Sequence, residues 1–415
     1  MNRRSLLAAS LASLTTLAGC AGRTDDGTTE TATAEQTTTA SSTPTATAAD
    51  TEPGTATPAS VSGPVETVAG VDLPVPRELL GRGAPENAIP AITEPAFADD
   101  WSGVEIEVRE QVSNEIVTKE PRLRPDDRVI GVERDGEARA YPLRVLNWHE
   151  IVNDDFGGPL LVTFCPLCDS GVTAVRTVGD EQTTFGVSGL LWNSDLVMYD
   201  AATDSRWSQI AATAIRGART GHRLELVPSE ITTLGDWRTA HPDTQVLLPP
   251  PASATIGERD GVRDYTRNPY ASYDDIGQIG IGQNSLDDDR LNPKVRVLGV
   301  RRDGEAIAYP LPAVADAGGV VEDTVGDTPV VVATGSDGST LHGWVRTVNG
   351  ETLSFTSAGD GRLAAGGSMW LTATGEAVDG PAEGTSLTPA SDAGQLFWFA
   401  WADFTEETGV YGDEG

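Results

Sequence analysis

The chain has 415 residues, of which 62 are acidic and 29 basic, giving a formal net charge of −33 at pH 7. This excess of negative charge excludes nucleic-acid binding, which requires basic patches. Two of the basic residues are lysines, Lys119 and Lys294, and the others are arginines. An acidic surface this poor in lysine resembles that of proteins from high-salt organisms.

The N-terminus has the features of an export signal. Arg3-Arg4 precedes a short apolar run, and Leu17-Ala18-Gly19-Cys20 resembles a lipobox. The apolar run is shorter than the ~20 residues that span a bilayer. We therefore predict a lipoprotein signal peptide of the twin-arginine type over residues 1–20. Lipidated Cys20 would anchor the exported protein to the outer face of the cell membrane.

Residues 21–62 are rich in Thr, Ala, Ser and Glu and offer no apolar face that could form a core. This composition predicts a disordered tether between the lipid anchor and the folded part of the chain.

An internal repeat organises the remaining residues. Arg128–Glu137 recurs as Arg296–Glu305, and Tyr141-Pro142-Leu143 recurs as Tyr309-Pro310-Leu311. Further matches follow in the same order, which chance explains poorly. The repeat predicts lobe one over residues 63–245, a long loop insertion over 246–292 and lobe two over 293–415.

The repeat unit has the pattern of strands joined by tight turns. Arg128 to Arg134 reads as a strand, Asp135-Gly136 as a turn and Glu137 to Tyr141 as the returning strand, before a helix that begins near Pro142. We expect a mostly β, β-rich α+β fold. It would consist of two related lobes from an internal duplication, the second of them degenerate.

Two of the three cysteines occur together in Cys165-Pro166-Leu167-Cys168. Asp169-Ser170-Gly171 and then β-branched residues follow, which favours a turn between strands over a helix start. Cys-x-x-Cys turns place two sulfurs on one metal ion, or form a redox-active or structural disulfide. All three interpretations stay open from the sequence.

A metal would need ligands besides the two sulfurs, and His149 is the first candidate. On the predicted helix it lies on the same side as Val145 and Val152, so it can point inward. Met198 could serve as a soft ligand and His241 as a further imidazole. Met198 aligns with Met369 of the second copy, which favours core packing instead.

Other polar and aromatic residues of the first copy are additional candidates. Asp195, Asn193 and Glu150 could act as acids, bases or orienting groups. Trp192 and Trp207 could line a ligand groove, although tryptophans of β-rich domains are more often core residues.

The second copy serves as an internal control. Cys165 and Cys168 align with Gly335 and Gly338, and Trp207-Ser208-Gln209 has no counterpart in the alignment. The first copy thus carries the candidate chemistry, and the second is interpreted as a scaffold.

The first copy also contains longer motifs: Asn147–Asp154, Thr163–Cys168, Phe185–Leu191, Asn193–Asp200, Trp207-Ser208-Gln209, His241-Pro242-Asp243-Thr244, Arg263-Asp264-Tyr265 and Asn268-Pro269-Tyr270. Together they resemble domain-of-unknown-function family 3179, from about Pro85 to Gly412. This family brings no established reaction. The resemblance does imply that the motif residues cluster in the fold.

The leading hypothesis is a cell-surface lipoprotein that binds a soft transition metal, copper first and zinc second. Cys165 and Cys168 would be thiolate ligands, His149 the imidazole ligand, and Asn193 and Asp195 outer or substrate-facing groups. The alternatives are a thiol–disulfide oxidoreductase with Cys165 as nucleophile and a non-catalytic module that binds an envelope partner. The partner, a small molecule or an envelope protein, is not identified by the sequence.

Overall fold

Strands make up 43% of the computed structural model and helices 10%, which confirms the predicted β-rich fold. The structure describes residues 63–110, 113–257, 262–273, 278–281 and 288–413. The predicted signal peptide, Cys20 and the predicted tether lie outside the described residues. Within the described residues, no helix is both long enough and apolar enough to cross a membrane.

Six sheets are arranged like the blades of a propeller. Three belong to the first half of the chain. The strands of each sheet are given in their spatial order. Sheet 1 contains Glu230–Thr233, Arg128–Arg134, Glu137–Pro142, Gln245–Leu247 and Phe97–Ala98. Sheet 2 contains Ser170–Val175, Pro159–Cys165, Ile151–Asp155, Ile92–Glu94 and Ala254–Thr255, and sheet 3 contains Thr213–Arg216, Arg206–Ser208, Asp195–Asp200, Phe185–Trp192 and Leu80–Arg82.

The other three sheets are built by the second half. Sheet 4 contains Leu396–Phe397, Arg296–Arg302, Glu305–Pro310 and Gly409–Val410; sheet 5 contains Val320–Val325, Thr328–Thr334, Leu341–Val345 and Thr388–Pro389; and sheet 6 contains Thr356–Gly359, Arg362–Ala365 and Ser368–Leu371.

Short ribbons and helices complete the described structure. The two-stranded ribbons pair Thr67–Val68 with Val71–Asp72, Ile106–Arg109 with Ile116–Lys119, Thr177–Val178 with Glu181–Gln182, and Thr347–Val348 with Glu351–Thr352. The helices are α1 (Leu143–His149), α2 (Leu234–Ala240), α3 (Leu311–Asp316) and α4 (Trp398–Phe404), with 3₁₀ turns at Arg77–Leu79 and Gly380–Ala382.

The predicted hairpin turns are present in both halves. Asp135-Gly136 and Asp303-Gly304 each have two consecutive positive φ angles, 54° and 77° in the first turn and 53° and 85° in the second. This is the backbone of a type I′ turn, which matches the right-handed twist of the strands it joins. A helix begins directly after each hairpin, at Leu143 and at Leu311.

The two halves also share an equivalent hydrogen bond between a tryptophan and a threonine. The Trp237 indole N–H donates to the Thr244 hydroxyl at 3.0 Å, and Trp401 donates to Thr408 in the same way at 2.9 Å. The order of elements and these contacts are those expected of related lobes. The interpretation as an internal duplication stays a prediction.

The structure revises one part of the repeat alignment. Trp207 and Trp370 occupy equivalent strands, and each makes an edge-to-face contact with a phenylalanine, at centroid distances of 5.9 Å and 5.8 Å. Trp207 therefore has a counterpart, contrary to the alignment. Met198 pairs with Trp207, and Leu363 pairs with Trp370. Met198 therefore corresponds to Leu363 and not to Met369.

The two halves share a core at the Cys-Pro-Leu-Cys turn. Cys165 and Cys168 belong to the same apolar cluster as Val297, Phe397 and Trp398 of the second half. Polar contacts join the halves there as well: the Asp169 carboxylate accepts from Arg128 at 2.9 Å and 3.1 Å and from Arg296 Nε at 2.6 Å. The repeat thus contributes one arginine from each copy to a single carboxylate.

We predict that the two equivalent glycines under the tryptophans tolerate no side chain. A Cβ at Gly131 or Gly299 would overlap the ring of Trp237 or Trp401. We expect Gly131→Ala and Gly299→Ala each to lower the free energy of unfolding by roughly 1–3 kcal/mol, because overpacking forces the ring out of place. Denaturant unfolding in high salt would measure this.

The matched control is Gly409→Ala, whose Cβ would make only ordinary contacts at 3.6 Å. Equal stability of all three variants would contradict the predicted packing.

Candidate functional site

The Cys-Pro-Leu-Cys segment forms the predicted turn between two strands of sheet 2. Cys165 ends the strand Pro159–Cys165, and Ser170 begins the returning strand. The Cys168 N–H donates to the Cys165 carbonyl at 3.2 Å, which closes the turn. The equivalent turn of the second half is closed in the same way, from Gly338 to Gly335 at 3.1 Å. The backbone is therefore shared, and the sulfurs are specific to the first half.

Sheet 3 brings a carboxylate to the two sulfurs. One oxygen of Asp195 and both Sγ atoms lie within 4.8 Å of one another, and all three side chains are buried. Both thiols also contact the Ser194 carbonyl, at 3.6 Å from Cys165 and 3.4 Å from Cys168. We call Cys165, Cys168 and Asp195 the thiol–carboxylate cluster.

The two oxygens of Asp195 differ in their contacts. Oδ2 accepts from the Ser208 hydroxyl at 2.7 Å and from the Ile210 N–H at 3.3 Å. Oδ1 is buried and has no hydrogen-bond partner among the described residues. Burial raises the pKa of Asp195 to about 7, although the bond from Ser208 opposes the shift. An unsatisfied buried carboxylate oxygen is costly unless a proton or a cation joins it.

Glu150 is a second buried carboxyl of the site. It follows α1 with a φ angle of 58°, which is in the left-handed region. Burial and the charge of Asp195 raise its pKa to about 8. Neither Glu150 nor Asp195 forms an ion pair with a described basic residue. Among the described residues, Asp195 and Glu150 are therefore buried acidic groups without a paired positive charge.

The second half of the chain contributes to the same site. Burial raises the pKa of Cys168 well above its ordinary value, and the neighbouring Cys165, Asp195 and Asp403 raise it further. Asp403 belongs to α4, and the Phe397 N–H donates to the Cys168 carbonyl at 2.9 Å. The copy interpreted as a scaffold thus holds the thiol turn and adds a negative charge beside it.

His149 has other partners than the thiols. Its Nδ1 donates to the Pro90 carbonyl at 2.7 Å, which assigns Nε2 as the acceptor from the Tyr265 hydroxyl at 2.7 Å. Burial lowers the pKa of His149 to about 4, so the ring is neutral. The structure does not bring His149 into the thiol–carboxylate cluster. Its role as the imidazole ligand stays a prediction.

The remaining candidates lie apart from the cluster or within the core. Met198 and Trp207 are buried in facing strands of sheet 3, and Trp192 packs edge-to-face on Phe404 at 5.1 Å. His241 packs on the Trp237 ring at 4.2 Å.

Asn193 occupies the hairpin before Asp195, with a φ angle of 49°. The fully buried rings of Trp192 and Trp207 cannot form the surface groove considered from the sequence.

Three tyrosines of the predicted insertion pack over the site. Tyr265 reaches His149, and the Tyr273 hydroxyl donates to the Leu167 carbonyl at 3.1 Å. Burial raises the pKa of Tyr270, and the nearby Glu150 and Cys165 raise it further. The insertion is therefore part of the site. Its first residues also extend the strand Gln245–Leu247, so the predicted boundary at 246 falls inside a strand.

Tyr270 and Asp403 were missed as site residues from the sequence. Tyr270 was visible within the motif Asn268-Pro269-Tyr270, without a reason to place it near the cysteines. Asp403 had no sequence signal, because it lies 235 residues after Cys168 in the second copy.

Residues 86–408 match the family described as "Protein of unknown function (DUF3179)". The chain belongs to this family, which confirms the resemblance inferred from its motifs. Searches of the curated proteins and of the solved structures find no match.

We predict that the metal-free protein loses stability as the pH rises from about 4.5 to about 8. In the folded state the pKa of Asp195 is about 7 and that of Glu150 about 8, both above their ordinary values. The folded state therefore binds more protons than the unfolded state in this range, and deprotonation is unfavourable. The loss should be on the order of a few kcal/mol.

Denaturant unfolding of chelator-treated protein at several pH values in constant high salt would measure this dependence. Asp195→Asn and Glu150→Gln should each flatten it, and the exposed control Asp126→Asn should leave it unchanged. A wild-type stability that stays constant or rises over this range would refute the prediction.

Proposed function

We propose that this protein, exported and anchored to the outer face of the membrane, binds a soft transition metal ion through Cys165, Cys168 and Asp195. The observation that carries the proposal is the unpartnered Asp195 Oδ1, buried beside two free thiols. Buried ionisable groups are normally paired with an opposite charge or coordinate a metal. Here the described residues supply no opposite charge.

The donor set favours zinc over copper. Zinc accepts cysteine sulfur together with aspartate or glutamate oxygen, whereas carboxylate oxygen is a hard ligand that suits copper(I) poorly. The sequence alone placed copper first and zinc second. Replacing the imidazole by Asp195 changes that order.

Three protein donors would leave one position of a tetrahedral zinc ion open. An open position is the arrangement of catalytic zinc sites, where a water or a substrate binds. Glu150, a buried carboxyl near Asp195 with a pKa of about 8, would be a candidate to exchange a proton with such a molecule. The proposal therefore includes metal-assisted chemistry as well as metal handling.

We expect close to one zinc or copper ion per chain in protein purified from its native host, measured by elemental mass spectrometry. Cys165→Ser, Cys168→Ser and Asp195→Asn should each lose most of the metal, since each removes one donor. Met198→Leu is the matched core control and should retain it.

His149→Gln decides between the two ligand sets. Retained metal in this variant supports Asp195 as the third ligand, and loss of metal from a folded protein supports the imidazole. Full metal content in Cys165→Ser would overturn the proposal.

Thiol–disulfide exchange is the second candidate. Both cysteines are free, and Asp195, with a pKa of about 7, could accept a thiol proton. The Cys165 thiolate would attack a substrate disulfide and release one thiolate. Cys168 would then attack the mixed disulfide, oxidising the protein dithiol and releasing the second thiolate, while the two protein protons pass to the released thiolates. The burial of both sulfurs and the raised pKa of Cys168 count against this function.

Alkylation separates the two functions. A bound metal should protect both thiols of the native protein from iodoacetamide until a chelator is added. An oxidoreductase should instead react with a small disulfide without chelator, and should lose that reaction in Cys165→Ser. Rapid reduction of a small disulfide by the metal-loaded wild type would favour the second candidate.

A binding module for an envelope partner has the weakest support. Trp192 and Trp207, the residues considered for its surface, are buried in the core. Such a module would have to use other residues of the exposed surface.

A further inference from the structure

A cavity of about 220 Å³ lies beside the thiol turn and does not include either sulfur in its wall. Pro166, between the two cysteines, forms part of the wall, and so does Tyr270, which also faces Cys165. The volume is far above the roughly 15 Å³ that a single water requires. The cavity is therefore large enough for a small organic molecule next to the site.

The wall is rich in arginine. Arg128, Arg144 and Arg296 all line the cavity, in a chain whose net charge is −33. Three aspartates line it too. Asp169 is shared between Arg128 and Arg296, Asp127 pairs with Arg144 at 2.5 Å, and Asp126 is exposed. With the exposed Asp126 left aside, the wall carries three half-buried arginines against two aspartates.

Two of these guanidinium groups have unused donors. The Nε–H groups of Arg128 and Arg144 are shielded from solvent and have no acceptor among the described residues. Because these Nε atoms are closed off from solvent, an oxygen-rich ligand in the cavity would instead be held by the terminal Nη groups of the arginines. Charge-assisted bonds from arginine to a carboxylate are among the strongest hydrogen bonds of proteins.

Comparison of the two copies shows which residues of this wall are common to both halves and which occur only in the first half. Arg128 corresponds to Arg296, so this position is common to both copies. In the helices that follow Tyr-Pro, however, Arg144 and Asn147 of α1 correspond to Pro312 and Ala315 of α3. Only the copy with the cysteines carries these polar side chains. Asn147 in turn donates to Asn268 of the insertion at 3.2 Å.

We infer that this cavity binds a small carboxylate, held by Arg144, Asn147 and the arginine pair at Asp169. The ligand would lie against Pro166 and Tyr270, at the outer side of the thiol turn. This inference is independent of the proposed metal, because the sulfurs do not line the cavity. An anionic substrate or effector would thus bind in this cavity, next to the thiol–carboxylate cluster.

Calorimetric titration of the full-length protein with malonate, in potassium chloride at constant ionic strength, tests the inference. Saturable binding with one site per chain is expected, and the neutral isostere malonamide should not bind. Asn147→Leu leaves all ion pairs of the wall intact and should weaken malonate binding at least roughly tenfold, as should Arg144→Gln. The exposed arginine variant Arg122→Gln is the matched control and should bind like the wild type.

Circular dichroism and the thermal midpoint establish that each variant is folded. Cys165→Ser should retain malonate binding whether or not it retains metal, so failure of one proposal is distinguishable from failure of the other. Absence of saturable malonate binding to the folded wild type, equal binding of malonamide, or unchanged binding in folded Asn147→Leu would overturn the inference.

Discussion

Burial of acidic groups without a paired cation is the constraint on which this site depends. Two thiols and two carboxyls, those of Asp195 and Glu150, are removed from water in one region. Each can be neutral only by keeping its proton, and the raised pKa values of the carboxyls express this cost. A fold that only needed a core would have no reason to bury two thiols and two carboxyls here, and the second half carries glycines in place of the two cysteines. These buried acidic groups are the observation from which the proposed metal site follows.

The backbone around the site is consistent with that interpretation. Glu150, Asp169, Asn193 and Ser194 all have φ angles between 49° and 66°, a region that residues other than glycine seldom adopt. They flank the helix end, the thiol turn and the hairpin that supply the site. Such an angle persists only when the surrounding structure fixes it. Two features fix it here: the Asp169 carboxylate held by arginines from both halves, and the bond from Phe397 to the Cys168 carbonyl.

The parts of the fold that local patterns determine were predictable. The Asp-Gly turns, the strands beside them and the turn at Cys165 to Cys168 follow from the period of two and from turn chemistry. The proximity of Asp195 to the thiols was not predictable, because it depends on how sheet 3 lies beside sheet 2. The hydrogen-bond partners of His149 were not predictable for the same reason. Its position on an inward face of α1 indicated burial correctly, but only the three-dimensional structure shows that Pro90 and Tyr265 occupy both ring nitrogens. The alignment of Met198 with Met369 followed residue identity alone. The strand pairing instead makes Trp207 equivalent to Trp370.

The second half then acquires a clearer role. It lacks the sulfurs, yet its backbone has the same turn at Gly335 to Gly338. Its strand Leu396–Phe397 places Phe397 beside Cys168, and α4 contributes Asp403. Asp403 adds negative charge where two thiols are already buried, which disfavours a free thiolate at Cys168 and favours a bound cation. A catalyst that relied on a reactive thiolate would be better served by a positive neighbour, since positive charge lowers a thiol pKa. A negative neighbour at this position therefore weighs against a reactive thiolate and is compatible with the proposed metal ion.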